Sequence, residues 1–232
     1  MAKKNGKVKE YSSEGYIEFE GEYLSWKIWN GKGYDKDHNV VYAINNGKGY
    51  KKDFCTKNNK LSYEAEYLNG GINGIVKKYH YLNGKLKFIG EYFNGSKNGK
   101  AKEYYLDEKL KYEGEYLYNF KLRGKEFHNE KLIYEGEYFL NKRWNGKIYD
   151  ENSNVIYEIK EGNGKGKEYD DNGNLIFEGE YLNGEMNQGI MRKYDTFTGK
   201  LSFEGEYSNG KKIGKEKNMI FLVEKYLLRE NI

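Results

Sequence analysis

A short motif that recurs about every 23 residues constrains the fold of this chain more than any other feature of its sequence. In its clearest form the motif reads aliphatic-x-aromatic-x-Gly-x-Tyr, as in Leu86, Phe88, Gly90 and Tyr92. The central residues of the nine copies are Gly21, Ile44, Ala65, Gly90, Gly114, Gly136, Ile159, Gly179 and Gly205. Because self-similarity at a fixed period marks a repeat architecture, the sequence predicts an array of similar units.

Each copy has the period of a β-strand. Apolar residues alternate with charged ones, so that Glu113 and Glu115 flank the central Gly114. This alternation predicts a strand with one buried and one solvated face. A second run, Gly-Lys-x-Lys-Glu-Tyr at residues 99–104 for example, predicts a partner strand whose Lys side chains pair with those Glu side chains. Thirteen Asn-Gly dipeptides predict tight hairpin turns between the strands.

We therefore predict an all-β fold, an elongated antiparallel single-sheet solenoid of about nine stacked β-hairpins. One hairpin buries too few apolar side chains to offset the entropy of ordering it, so the units must stack. The predicted domains are the repeat array, residues 1–214, and a C-terminal helical cap, residues 215–232, where Met219, Leu222 and Tyr226 follow helical spacing. The small central residue is expected where a neighbouring aromatic ring leaves no room for a Cβ atom.

The aromatic position of the motif is expected to form a structural seam through the array. Its members are Phe19, Tyr42, Tyr63, Phe88, Tyr112, Tyr134, Tyr157, Phe177 and Phe203. The copies around Ile44 and Ile159 lack both the Gly and the final Tyr, which predicts shortened hairpins and local bends at these two places.

This combination of motifs resembles the MORN repeat. Residues 177–184 and 164–166 carry the resemblance, which extends over about residues 6–214. The residue pattern of the repeats is more similar to the bacterial antitoxin-type variant of this repeat. The resemblance implies a scaffold that binds proteins or membranes. It also implies the alternative of an antitoxin or immunity protein that neutralises a toxin.

Composition and motifs argue against catalysis and nucleic-acid binding. The 40 basic and 36 acidic residues nearly cancel, which is not typical of a nucleic-acid binder. The Glu pairs recur in most copies, and the three histidines lie in different repeats, where each is expected to be a solvated turn residue. The run from Asp150 to Asn154 imitates a calcium loop but has Val155 where that loop needs Gly, so we interpret it as a polar turn. We predict no enzymatic activity, no metal, no cofactor and no small-molecule substrate.

Three tryptophans are candidate partner-binding residues: Trp26, Trp29 and Trp144. Exposed aromatic side chains at turns often anchor a protein partner. The alternative is that each ring packs over its own hairpin.

The leading functional hypothesis is a non-enzymatic scaffold that binds an unidentified protein partner along one face of the sheet. The alternatives are a peripheral module that binds a membrane surface or anionic lipid, and the antitoxin or immunity protein. The single Cys55 and the lack of an apolar leader or membrane-spanning run predict a cytoplasmic location.

Overall fold

The computed structural model describes residues 5–55, 60–196, 198–209 and 211–213. All regular secondary structure in these residues is β-strand. The described strands are β1 (Gly6–Tyr11), β2 (Ile17–Leu24), β3 (Lys27–Tyr34), β4 (Val40–Asn45), β5 (Lys48–Phe54), β6 (Leu61–Leu68), β7 (Gly71–Tyr79), β8 (Leu86–Phe93), β9 (Ser96–Tyr104), β10 (Leu110–Leu117), β11 (Phe120–His128), β12 (Lys131–Phe139), β13 (Lys142–Tyr149), β14 (Val155–Ile159), β15 (Gly164–Tyr169), β16 (Leu175–Leu182), β17 (Glu185–Tyr194), β18 (Leu201–Ser208) and β19 (Lys211–Ile213). The helix predicted at residues 215–232 lies outside the described residues.

The chain divides into two compact units, residues 1–122 and 123–232, with the boundary inside β11. In the first unit, β1 to β10 follow in chain order and each strand pairs antiparallel with the next. In the second unit, β12 to β14 and then β15 to β19 pair in the same way. The nine copies of the motif form the even-numbered strands, so the prediction of an all-β fold of antiparallel hairpins is confirmed.

The second unit departs from a single continuous sheet at one junction. The hydrogen-bonded ladder stops between β14 and β15, where one isolated bridge joins Lys160 to Asn163. The sequence predicted a shortened hairpin and a local bend at the Ile159 copy, but not that the ladder stops there.

Asn-Gly dipeptides occupy two kinds of position. Some form hairpin turns with positive φ at both residues, as at Asn69 (52°) and Gly70 (71°), which is the geometry predicted from the sequence. Others lie inside strands, as in β7 and β9, where the prediction of a turn is wrong. There the glycine provides room instead, since a Cβ at Gly99 would lie 2.2 Å from a carboxylate oxygen of Glu91.

The central glycines are required by close packing. A Cβ on Gly21 would lie 2.2 Å from the Asn30 carbonyl oxygen and 2.6 Å from the ring of Phe19. Gly21 faces Gly31 across the ladder, so two strand backbones approach each other beneath that ring. The predicted cause of the small central residue is therefore confirmed, with the covering ring supplied by the glycine's own strand.

Aromatic rings of the motif contact one another edge to face along the buried side of the sheet. Within the first unit, Phe88 lies 5.9 Å from Tyr92 of its own strand and 6.2 Å from Tyr116 of the next hairpin, between ring centroids. Such contacts between hairpins supply the burial that one hairpin lacks. Six of the nine predicted seam residues are buried: Phe19, Phe88, Tyr112, Tyr134, Phe177 and Phe203. Tyr42 and Tyr63 are half-buried.

Tyr157 differs from the other seam residues, because 46% of its surface is exposed. It lies on β14, next to the break in the ladder, so no following strand covers its ring. Ile159 fills the buried position of this shortened copy at 1% exposure, as Ile44 does in the first unit at 0%.

Candidate functional site

The turns at one edge of each unit expose an apolar side chain. In a meander of consecutive strands, the turns that follow even-numbered strands all fall at the same edge. The residue after the motif tyrosine lies there and, by strand alternation, points away from the aromatic seam. We call these residues the apolar rim: Leu24, Leu68, Phe93 and Leu117 in the first unit, and Phe139 and Leu182 in the second, all 40–54% exposed.

Turn residues extend the apolar rim beyond the strand ends. Trp26 and Tyr118 follow Leu24 and Leu117 in their turns, have positive φ and are each 64% exposed. Rim residues of neighbouring hairpins lie two strands apart in the sheet, and the strand spacing makes this distance about 10 Å. In the first unit Leu68, Phe93 and Leu117 therefore follow at a regular interval, whereas the shortened strands β4 and β14 interrupt the series in the two units.

Trp29 and Trp144 have packing contacts at equivalent places in the two units. Both are half-buried, and each carbonyl accepts a hydrogen bond from a glycine of the next turn, at 2.7 Å from Gly47 and 2.8 Å from Gly162. A Cβ on either glycine would come within 2.9 Å of the indole ring. These turns follow the shortened strands β4 and β14, which lack the final Tyr, so each Trp covers the turn of the adjacent hairpin. Of the three candidate tryptophans, Trp26 alone is exposed among the described residues.

Partly buried Tyr–Glu pairs, which sequence reasoning missed, recur along the aromatic seam. The hydroxyl of the motif Tyr donates to a Glu carboxylate on the preceding strand. The pairs are Tyr23–Glu10 (2.9 Å), Tyr116–Glu103 (2.6 Å), Tyr138–Glu126 (2.8 Å) and Tyr181–Glu168 (3.0 Å). The signal was present in the Gly-Lys-x-Lys-Glu-Tyr run, because its Glu lies two residues after a position on the seam face.

Cations complete this layer in the first unit. The Lys97 ammonium group lies 3.2 Å from a Glu103 oxygen and 4.3 Å from the centre of the Phe88 ring, and the Lys121 ammonium group lies 3.6 Å from the other oxygen. Burial opposes ionisation of Glu103, but Lys121, Lys97 and the Tyr116 hydroxyl outweigh it and hold the pKa of this carboxyl below its ordinary value.

In the second unit the corresponding layer contains a buried arginine. Arg143 is 6% exposed, and its guanidinium binds Glu126 through Nε at 3.1 Å and through Nη2. Its Nη1 donates to the Lys167 carbonyl of β15 at 3.0 Å and lies 3.9 Å from Glu168. Burial acts against the charge, and Glu126 and Glu168 more than compensate, so the pKa of Arg143 lies well above its ordinary value. The guanidinium is held as a cation at the junction where the ladder stops.

A cleft of about 540 Å³ lies at this junction, within the second unit. Its walls include Ile156 and Tyr157 of β14, Gly166 of β15 and Ile148 of β13. The His128 ring stacks on Tyr169 at 3.7 Å between centroids and forms part of the same wall. We call it the β14–β15 cleft.

The histidines and the acidic turn bring no metal-ligand set together. Among the described residues, no group of three or more His, Cys, Asp or Glu is placed to hold a metal ion. His80 is buried against the Tyr104 carbonyl oxygen, 3.0 Å from its Nε2, so the prediction of a solvated turn residue is wrong there. The Asp150 carboxylate accepts the N–H groups of Asn152 and Asn154 at 2.9 and 2.8 Å, and these bonds shape the turn.

No model of a known protein family matches the chain, and a search of curated proteins finds no similar sequence. Within the described residues, no helix has the length and apolar character needed to cross a membrane.

Proposed function

We propose that this chain is a non-enzymatic, MORN-type scaffold that binds a protein partner along the face of the sheet bearing the apolar rim. The observation that carries the proposal is the repetition of one exposed apolar side chain at the same edge of each unit, in six of the seven full-length copies; the seventh, β18, has Ser208 at this position. These side chains lie on the face opposite the aromatic seam, so packing of the seam does not account for their apolar character. Contiguous exposed apolar surface with a polar surround is typical of protein interaction sites.

The polar side chains on the rim face favour a partner recognised by shape rather than by net charge. Lys and Glu of adjacent strands pair across the ladder, as in Lys9–Glu20, Lys102–Glu113 and Lys125–Glu135, each at 3.1 Å. This bears out the predicted cross-strand pairing and leaves the face nearly neutral. Affinity then comes from the apolar rim, while the charged rows set the register of the partner.

A double substitution on the apolar rim tests this proposal. Phe93→Glu with Leu117→Glu places two charges in the proposed interface, and these side chains are 50% and 47% exposed, so the fold tolerates them. The matched control is Tyr81→Glu with Leu82→Glu, at exposed positions in a turn at the opposite edge. We expect the rim variant to lose the partner captured by the parent chain from native lysate, with affinity reduced about tenfold or more in calorimetry with the purified partner. Equal binding by both variants would refute the proposal.

A second candidate, a peripheral membrane module, is favoured by the two exposed aromatic side chains at the rim turns, Trp26 and Tyr118. Aromatic residues with one apolar and one polar end suit the membrane–water interface. Sedimentation with vesicles of phosphatidylcholine and phosphatidylserine distinguishes the two candidates. Binding to vesicles that Trp26→Ser with Tyr118→Ser abolishes would favour the membrane, whereas a partner retained in detergent favours the scaffold.

A further inference from the structure

The hydrogen-bonded ladder of the hairpin formed by β14 and β15 is limited to one bridge at its turn. Lys160 and Asn163 exchange both backbone hydrogen bonds, at 3.0 and 2.9 Å. Beyond them β14 pairs with β13 and β15 pairs with β16, and the described residues form no ladder between β14 and β15. The two backbones remain close as far as Gly164, where a Cβ would lie 2.6 Å from the Glu158 carbonyl oxygen. The edge of β14 that is free of strand pairing and faces the cleft is therefore that of residues 155–157.

Arg143 and Gly166 account for the opening. Nη1 of Arg143 donates a hydrogen bond to the Lys167 carbonyl oxygen of β15. A Cβ on Gly166 would lie 3.1 Å from Nη1 of Arg143 and 3.6 Å from the Ile148 side chain. The strand β15 thus packs on side chains of β13 and is drawn away from β14.

The first unit provides an internal comparison for this junction. Ile28 lies 115 residues before Arg143 and packs in an apolar cluster with Phe19 and Ile44. There the corresponding strands β4 and β5 are paired at three successive positions, from Ala43↔Tyr50 to Asn45↔Lys48. Of these three pairs the unit with the arginine keeps one, between Lys160 and Asn163. Residues 40–42, the counterparts of residues 155–157, have no partner on β5 in the first unit either, so the second unit differs in the two pairs that it lacks.

The free edge of β14 is apolar and accessible. Val155, Ile156 and Tyr157 are 48%, 44% and 46% exposed, although successive residues of a strand point to opposite faces. A strand edge with apolar side chains on both faces is suited to pairing with another strand.

The charges around the cleft indicate the character of its occupant. Four cations and three carboxylates line it, so their sum is nearly zero: Lys131, Arg143, Lys165, Lys167, Asp150, Glu151 and Glu178. Arg143, Lys165 and Lys167 already have carboxylate partners in Glu126, Glu180 and Glu178. Lys131 also lies 4.0 Å from Glu151. An anionic ligand would have to compete with these carboxylates for the cations, whereas an uncharged segment would not.

We infer that the β14–β15 cleft binds an extended, uncharged peptide segment that pairs with the free edge of β14. The backbone of the segment supplies hydrogen bonds to that edge, and its alternate side chains contact Ile156 on one face and Tyr157 on the other. This inference rests on the proposed function, because the segment belongs to the protein partner that the scaffold holds.

The test uses the full chain and a fluorescein-labelled synthetic hexapeptide of alternating Thr and Val with blocked ends. We expect a saturable rise in fluorescence anisotropy. The same peptide with N-methylated Val residues cannot donate those backbone hydrogen bonds, and we expect its affinity to fall about tenfold or more. Amide hydrogen exchange at residues 155–158 should slow when the unmethylated peptide is added. No saturation, equal binding of the methylated peptide, or protection at other strands would overturn the inference.

Two variants connect binding to the cleft. Tyr157→Lys places a charge on its wall at an exposed position, so we expect an unchanged circular dichroism spectrum and binding about tenfold weaker. Tyr11→Lys, at an exposed position in the first unit and outside the apolar rim, is the matched control and should bind as the parent does. Equal losses in both variants would overturn the inference.

Failure of this inference can be separated from failure of the proposed function. If the parent chain does not bind the peptide but the substitutions at Phe93 and Leu117 abolish binding of the protein partner, only the inference about the cleft is refuted. If a second copy of the chain occupies the cleft, sedimentation will show concentration-dependent self-association that Tyr157→Lys removes, and this too overturns the peptide assignment.

Discussion

At the residue scale, Arg143 introduces a buried cation into a seam built from aromatic and aliphatic side chains. The counterpart Ile28 occupies the same place in the first unit with no polar atoms to satisfy. A buried ion pair is costly to break because the remaining charge is left without a partner. The two positions therefore respond differently to the same substitution.

We expect Arg143→Met to destabilise the second unit by about 3–5 kcal/mol, because Glu126 and Glu168 lose their buried counter-charge. Ile28→Met is the matched control and conserves volume, with an expected cost below about 1.5 kcal/mol. Urea denaturation followed by circular dichroism measures both. Adding Glu126→Gln to Arg143→Met should recover part of the loss. Equal denaturation midpoints for Arg143→Met and Ile28→Met would contradict the assignment of Arg143 as the counter-charge of Glu126 and Glu168.

The tyrosine hydroxyls of the seam make stability sensitive to alkaline pH. Burial, and then the hydrogen bond to Glu10, raise the pKa of Tyr23 to about 12. An unfolded tyrosine ionises near pH 10, so this contribution is complete below about pH 10 and is lost as the pH rises towards 12. Tyr23→Phe removes the group, and its free energy of unfolding should fall less steeply with pH over this range than that of the parent. Identical slopes in denaturation series at several pH values would exclude a role for Tyr23.

Sequence reasoning predicted part of this layer. The buried positions of Phe88 and Tyr112 follow from the period of two, since every other residue of those strands is apolar. The place of Glu103 beside Tyr116 was missed because charged residues were assigned to the solvated face throughout. Burial of His80 depends on the Tyr104 carbonyl, 24 residues away in the chain, and no local pattern indicates that contact.

At the scale of the strand and hairpin, the paired glycines fix how closely two strands can approach. A Cβ at Gly21 would meet backbone atoms of Asn30 and Gly31, which cannot rotate away as a side chain would. Gly71 lies at the start of β7 with no atom within 4 Å of a built Cβ and serves as a control in the same unit.

We expect Gly21→Ala to cost about 1–3 kcal/mol or more, since the facing strand must shift. Gly71→Ala should be neutral or stabilising by less than about 1 kcal/mol, because alanine reduces the entropy of the unfolded chain. Denaturant midpoints of the two variants measure the difference. A smaller loss for Gly21→Ala than for Gly71→Ala would show that the facing backbone is not the constraint.

Strand positions could be predicted from the sequence more fully than strand pairing. The motif copy at Leu86 coincides with β8, and the shortened copies are the short strands β4 and β14. The break after β14 was not predictable from its own residues, because the run that forms β15 has the same Gly-Lys-x-Lys-Glu-Tyr pattern as paired strands elsewhere. We attribute the break to Arg143 of β13, which donates to the Lys167 carbonyl of β15 and which the repeat pattern does not single out.

At the scale of the whole molecule, contacts between strands are almost entirely between neighbours in the chain. Stability in such an array is a sum of hairpin terms and neighbour terms, so a local defect should have local consequences.

Hydrogen exchange of Gly21→Ala tests this locality. We expect faster exchange in β1 to β5 and unchanged rates in β16 to β18, with Gly71→Ala as the control that leaves both regions as in the parent. Uniformly faster exchange in all described strands would mean that the chain unfolds as one cooperative body.

The two Trp-covered turns also bear on how such a chain varies in length. Trp29 and Trp144 are 115 residues apart, and so are the shortened strands that begin at Val40 and Val155. This distance equals five periods of the motif. The sequence therefore has a second, longer repeat of five hairpins in addition to the repeat of one hairpin. Gaining or losing one five-hairpin block would keep every turn type in phase with its neighbours, whereas gaining a single hairpin would displace one tryptophan from the short turn that it covers.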